Sequence, residues 1–302
     1  MPKLSKILIY LILLKGVFLS FPLLAVDCSI NYGQDTTISA DCDGFELERQ
    51  LDFDITIDSG VTLSDDTVGL VIDLAIFNMT GTLINNGSVS TSKTKAITFV
   101  GGSINSIINN GTLAADSYTL DIDGAGNLIR FENTGTMSAS TIATVNVSLR
   151  SELTTFINSG TISANASTIF LDGGTITTLN NSGTISSSGN TIDNFSGTLT
   201  TLLNSNTISS NGGVAVSNTE AASMGLINNS GNLLSETAEG ILNWDSTITT
   251  LTNSGAIQSD NADAIYNRGG TINTLTNTGT ISATNILYRD INNTGSIGTL
   301  IN

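Results

Sequence analysis

One short unit recurs along this chain: asparagine, any residue, glycine, a small residue, then an aliphatic one. It starts at Asn85, Asn109, Asn133, Asn158, Asn181, Asn204, Asn229, Asn253, Asn277 and Asn293. Successive copies lie 23–25 residues apart, except that the last, Asn293-Thr294-Gly295-Ser296-Ile297, comes early. Self-similarity at such a period marks a solenoid, in which each repeat is one supersecondary unit that buries its apolar face only against its neighbours.

The aliphatic residues keep the same register. Seven positions before each glycine position stand Ile104, Leu128, Leu153, Ile176, Leu199, Met224, Ile248 and Ile272. Four before it stand Ile107, Phe131, Phe156, Leu179, Leu202, Ile227, Leu251 and Leu275. A third segment contributes Ile97, Ile169, Ile192, Ile241 and Ile265. Each period thus holds three short strand-like segments with polar punctuation, too short for helices. Leucine-rich repeats share the length but not this pattern, and the β-branched content favours strands throughout. The expected fold is all-β: a right-handed parallel β-helix with coils of about 24 residues.

Coils stacked about 4.8 Å apart turn each register position into a column. Columns of Ile and Leu form a continuous core, each side chain contributing roughly 1.5–3 kcal/mol. Ordering a coil costs about 1–2 kcal/mol per residue, so stability belongs to the stack rather than to any one coil. The recurring asparagines are expected to form an amide ladder along one turn. The recurring glycine is expected there with positive φ, and Asn206, its one replacement, fits that expectation because asparagine tolerates the left-handed region.

Composition narrows the remaining classes. The chain has 302 residues, a net charge of -16, no histidine and only 12% charged residues. Regularly placed aliphatics exclude a disordered chain. Few, scattered Lys and Arg speak against nucleic acid as a partner, since phosphate backbones need clustered cations. Two cysteines without histidine offer no metal set, and no cofactor is expected. The paired glycines Gly101-Gly102, Gly173-Gly174, Gly212-Gly213 and Gly269-Gly270 read as loop glycines; neither a P-loop lysine nor a calcium-binding nonapeptide accompanies them.

Residues 1–25 read as a secretory signal: Lys3 and Lys6, an apolar run, and Ala25 as a cleavage point. The alternative, a membrane anchor, has to accommodate Lys15 and Pro22 within its apolar stretch. In an exported chain Cys28 and Cys42 are expected to pair rather than remain free thiols, closing a loop worth about 3 kcal/mol. Residues 26–80 fit the repeat poorly and carry the cysteines and many acids, which reads as a cap over the exposed strand edges. Residues 81–302 are the repeats. They stop at the start of another coil, so a chain truncated at its C-terminus is expected.

Candidate chemistry is sparse. Asp121 with Asp123, or Asp52 with Asp54, have the alternating spacing that puts two carboxylates on one strand face, as glycoside hydrolysis requires. Asp172, Asp193, Asp245 and Asp263 fall in separate coils. Without histidine there is no Ser-His pair, and no Gly-x-Ser-x-Gly occurs. Outward Thr and Ser flank the motif aliphatic, as in Thr161/Ser163 and Thr184/Ser186; an ice-binding array would need them unbroken, and Asn232/Leu234 and Ala256/Gln258 interrupt them. Trp244 sits beside Asn243 in an expected loop, either as a platform for a sugar or as an incidental packing residue.

The leader, the cysteines Cys28 and Cys42 with Asp43-Gly44 after them, and the Asn-Ser-Gly-Thr-Ile repeats together resemble the passenger domain of Gram-negative autotransporters. The likeness covers nearly all of the chain after the leader. It implies export to the outer membrane and display at the cell surface through a C-terminal outer-membrane β-barrel, which has no counterpart in these residues. The expected function is a non-enzymatic, adhesin-like surface protein whose partners are glycans or cell surfaces. A β-helix polysaccharide lyase or glycosidase is the alternative.

Overall fold

The computed structural model describes residues 28–302 apart from 33, 47–51, 66–69 and 76–77. The segment read as a secretory signal lies outside the described residues. Among the described residues all regular structure is strand, in three parallel sheets of 12, 10 and 11 strands. The chain visits the first, second and third sheets in turn and then starts again. In one coil the three strands are Thr175–Asn181, Thr184–Ser187 and Ile192–Phe195. The molecule is thus a parallel β-solenoid with the expected period.

Register pairing confirms the columns. Leu153 pairs with Ile176 and Phe156 with Leu179 in the first sheet, Ile162 with Ile185 in the second, and Ile169 with Ile192 in the third. All of these side chains are buried and belong to one continuous core. The third column also contains Leu120, Val145 and Val216, which continue it between the isoleucines. Phe131 and Phe156 meet edge to face at 5.2 Å inside the core, the geometry aromatic quadrupoles favour.

Cys28 and Cys42 form a disulfide, with Cα atoms 5.2 Å apart. The stack reaches into the segment read as the cap: Thr36–Ile38 and Ile55–Ile57 pair in the first sheet, and Thr62–Ser64 opens the second. The acids of this region accept hydrogen bonds that irregular pairing would leave unmade. Asp35 accepts from the Asp54 N–H, Asp41 from the Thr62 N–H and Asp54 from the Thr82 N–H. Each of these carboxylates thus ties its own coil to a backbone donor of a neighbouring coil.

The recurring glycine is not left-handed. None of Gly87, Gly111, Gly135, Gly160, Gly183, Gly231, Gly255, Gly279 and Gly295 is among the residues with positive φ. Its role is close approach. From Gly111 onward, a Cβ at each would lie under 3.0 Å from the backbone carbonyl oxygen of the residue one coil back, usually its glycine counterpart. Asn206 shows the consequence of a side chain in this column. Its neighbours' N–H groups donate to the asparagine carbonyl of the previous coil at 3.0–3.2 Å, but that of Asn206 makes no such bond. The next bond, from the Thr207 N–H to the Gly183 oxygen, is 3.4 Å, against 2.7–2.9 Å for its equivalents.

Apart from Gly44 and Gly60 near the N-terminal end of the stack, left-handed residues occupy a different corner, where the third sheet passes to the first. Gly101, Gly124, Arg150, Gly173, Ser196, Glu220, Asp245 and Gly269 all have positive φ there, so each of these coils turns through at least one such residue. The double glycines Gly101-Gly102, Gly173-Gly174 and Gly269-Gly270 lie at this corner, and Gly212-Gly213 lies between the second and third sheets.

Candidate functional site

Two asparagine ladders run through the corners. The first links the Nδ2 of Asn85, Asn109, Asn133, Asn158, Asn181, Asn204, Asn229 and Asn253 each to the Oδ1 of the next, at 2.7–2.8 Å. Asn277 ends it by donating to Asn302, not to Asn293. Asn293 belongs to a second ladder, Asn194–Asn218–Asn243–Asn267–Asn293, with bonds of 2.7–2.8 Å. This corrects the expectation that Asn293 continues the first series. Its motif copy comes early because it turns a different corner, from the third sheet back to the first, with the same local chemistry. Nearly all members of both ladders are buried, and each amide but that of Asn293 also donates to a backbone carbonyl, as buried polar groups require. These asparagines hold the frame and leave little of their amides to a ligand.

The signal for the second ladder is present in the chain but weak. Its asparagines are spaced 24–26 residues apart, yet Phe195, Thr219, Trp244 and Arg268 follow them without a common motif. Earlier in the stack the same column holds the apolar residues Leu74, Phe99, Ile122, Val147 and Leu171 before switching to Asn194. The Oδ1 of Asn194 accordingly has no donor, since the residue behind it in the column is Leu171.

The outer faces differ sharply. The first sheet is dominated by threonine, as at Thr177-Thr178, Thr200-Thr201 and Thr249-Thr250. Chemistry-bearing side chains collect on the third sheet in adjoining columns. One runs Thr98, Asp121, Asn146, Phe170, Asp193, Ser217, Leu242, Tyr266. The next runs Asp123, Ser148, Asp172, Phe195, Thr219, Trp244, with Arg268 beyond.

Asp121 and Asp123 do share this face, but both carboxylates are engaged. Asp121 is 2% exposed, pairs with the Lys95 ammonium at 2.6 Å and accepts from the Asn146 amide at 2.7 Å. Asp123 accepts from the Ser148 hydroxyl at 2.8 Å and from the Gly124 N–H at 2.7 Å. These bonds, that of Ser148 foremost, hold its carboxyl below the usual range. A general acid for glycoside cleavage needs the opposite shift. Beside them, burial first and the Asp121 charge second push the Tyr118 phenol up. Asp52 accepts only a long bond from Thr80, and Asp54 caps the Thr82 N–H. Of these four carboxylates, Asp121, Asp123 and Asp54 are thus engaged within the frame.

Residues a full period apart do meet. Glu239 and Asp263 stand two places before the paired Ile241 and Ile265, hence in neighbouring coils. Burial, with the Asp263 charge adding to it, raises the Glu239 carboxyl above its ordinary value. Asp263 accepts from the Arg289 N–H and the Asn292 amide, both at 2.7 Å. The Asp263 of the sequence reading therefore has a carboxylate neighbour, one that only coil stacking reveals.

Trp244 ends a strand of the third sheet, Ile241–Trp244, on its outer face rather than in a loop. The Arg268 guanidinium lies over its ring, 4.2 Å from the centroid. Among the described residues no cluster of three or more His, Cys, Asp or Glu is placed to hold a metal, and no helix is long and apolar enough to cross a membrane.

Compared with known proteins, the chain matches no family profile, no curated protein and no solved structure. The class of molecule therefore rests on the fold: a parallel β-solenoid with a disulfide-tied first turn and one chemically varied face.

Proposed function

We propose that this chain is a non-enzymatic, surface-displayed β-helical passenger, adhesin-like, exported by the autotransporter route, with a C-terminal outer-membrane β-barrel as its carrier and glycans or cell surfaces as its targets. The observation that carries this reading is the continuous stack itself. Ten consecutive strands of the second sheet keep one core register, and nine of them follow the same asparagine turn, a rod that holds a ligand-bearing face away from its anchor. Asp121, Asp123 and Asp54 are committed to hydrogen bonds or an ion pair within the frame, which favours a scaffold over a catalyst.

The test is localisation of the product of the intact gene in a Gram-negative host. Protease shaving of whole cells should remove the protein while periplasmic markers survive. Retention in the cytoplasm, or resistance to the protease on intact cells, would overturn the reading. The lyase or glycosidase alternative has one observation in its favour, the Glu239–Asp263 juxtaposition. Release of reducing sugar from a polysaccharide by the purified protein, abolished in Glu239→Gln, would establish it in place of the scaffold reading.

A further inference from the structure

The outer column of the third sheet carries two exposed aromatic side chains with a small residue between them. Phe195 pairs in register with Thr219, and Thr219 with Trp244. Phe195 is 41% exposed and Trp244 38%, whereas Thr219 is half-buried. Ser217, on the same strand and face, is buried beside it. Two aromatic walls thus rise on either side of a hydroxyl floor.

The walls are held. Arg268 covers one face of the Trp244 ring. Because Arg268 comes from the coil beyond, the opposite face is turned back along the column toward Thr219 and Phe195. The Ser246 hydroxyl donates to the Trp244 carbonyl at 2.9 Å, fixing the turn that follows the ring.

We propose that the slot between Phe195 and Trp244 binds one ring of a neutral glycan. Two coil steps of about 4.8 Å separate the walls by roughly 9.6 Å. Contact with a carbon layer takes about 3.5–4.0 Å on each side, leaving some 2 Å for the guest's own thickness. That suits a puckered saturated ring better than a flat aromatic one. The C–H face of a pyranose meets the indole, and its hydroxyls find the half-buried Thr219 oxygen. Charge selects further. Asp172, Asp193, Glu220 and Asp245 surround the slot, and the nearest cation, Arg268, is already stacked on Trp244. Carboxylates accept from sugar hydroxyls and repel uronic acids, so the ligand class is neutral and not anionic. This inference rests on the scaffold reading above and adds the ligand class and the place.

Trp244 is the single tryptophan of the chain, so its fluorescence reports on this slot alone. The experiment titrates the purified full-length protein with a neutral β-linked glucose hexasaccharide, with an oligogalacturonate and with tetramethylammonium as contrasting probes. Saturable change in emission with the neutral sugar only is the expected result. Thr219→Phe fills the slot without touching the core and should weaken that response at least tenfold, and Phe195→Ala should weaken it severalfold. Circular dichroism should superimpose for all three proteins. No response to the neutral sugar, or a response unchanged in Thr219→Phe, would overturn the proposal. A response to tetramethylammonium or oligogalacturonate instead would overturn the assignment of a neutral sugar. Because purified protein is used, sugar binding and surface display fail independently.

Discussion

Gly183→Ala isolates the physical reason for the recurring glycine. Gly183 has ordinary φ, so alanine carries no dihedral strain there. Its new methyl group would instead press on the carbonyl oxygen of Gly160 and the backbone of Ser159, neither of which is a flexible side-chain end. The stack must open locally. Asn206 indicates how: one coil-to-coil backbone bond is missing and the next is stretched to 3.4 Å. In the wild type, Gly183 N–H donates to Asn158 O at 3.1 Å and Thr184 N–H to Gly160 O at 2.9 Å. Losing one and weakening the other costs about 1–3 kcal/mol for each donor left unsatisfied. Alanine recovers about 0.4–1 kcal/mol by restricting the unfolded chain. The net expectation is a loss of roughly 1–4 kcal/mol. Urea unfolding at fixed pH, followed by circular dichroism, measures it, with exposed Ser182→Ala as the control. A loss no larger than the control's, within about 0.5 kcal/mol, would refute the close-approach argument.

Asn181→Ala removes an amide that donates to Asn204 Oδ1 at 2.8 Å and accepts from Asn158. With two buried partners stranded, a loss of about 2–5 kcal/mol is expected in the same assay. Ser196→Gly relieves a left-handed residue whose φ is 55°; a gain of up to about 1 kcal/mol is expected, and a lower melting temperature would contradict it. Glu239→Gln tests the half-buried carboxyl. Because its folded-state value is raised, the folded protein keeps the proton over a window in which the unfolded chain has released it. Stability contributed by this group is present below the unfolded value and falls as pH rises through the folded one. The variant should therefore be more stable than wild type at pH 7, and the difference should shrink on acidification toward pH 4; an advantage that does not change with pH would argue against the shift.

The period, the three inward registers and the first asparagine ladder were legible because each follows from residues at a constant spacing. Ile176, Leu179 and Ile185 mark the core in any coil, and Asn181 marks the turn. Two readings failed for a shared reason. The glycine after the asparagine looked like a left-handed turn residue, because sequence records that a side chain is missing but not whether dihedral or contact demands it. Asn293 was joined to the wrong ladder because one five-residue motif suits two corners. The pairing of Glu239 with Asp263 was missed because residues in separate coils look remote along the chain, whereas stacking makes a full period the shortest path between side chains.

The sequence by itself determined that this chain stacks. Regular aliphatics have no other way to leave water, and one coil alone cannot offset its ordering entropy. Tertiary structure alone decided which groups share a face. Phe195, Thr219 and Trp244 lie 24 and 25 residues apart, and nothing in their local sequence joins them. Coil lengths of 23–26 residues shift each column by small, uneven steps, and only the paired backbone sets which side chains come to stand one above another.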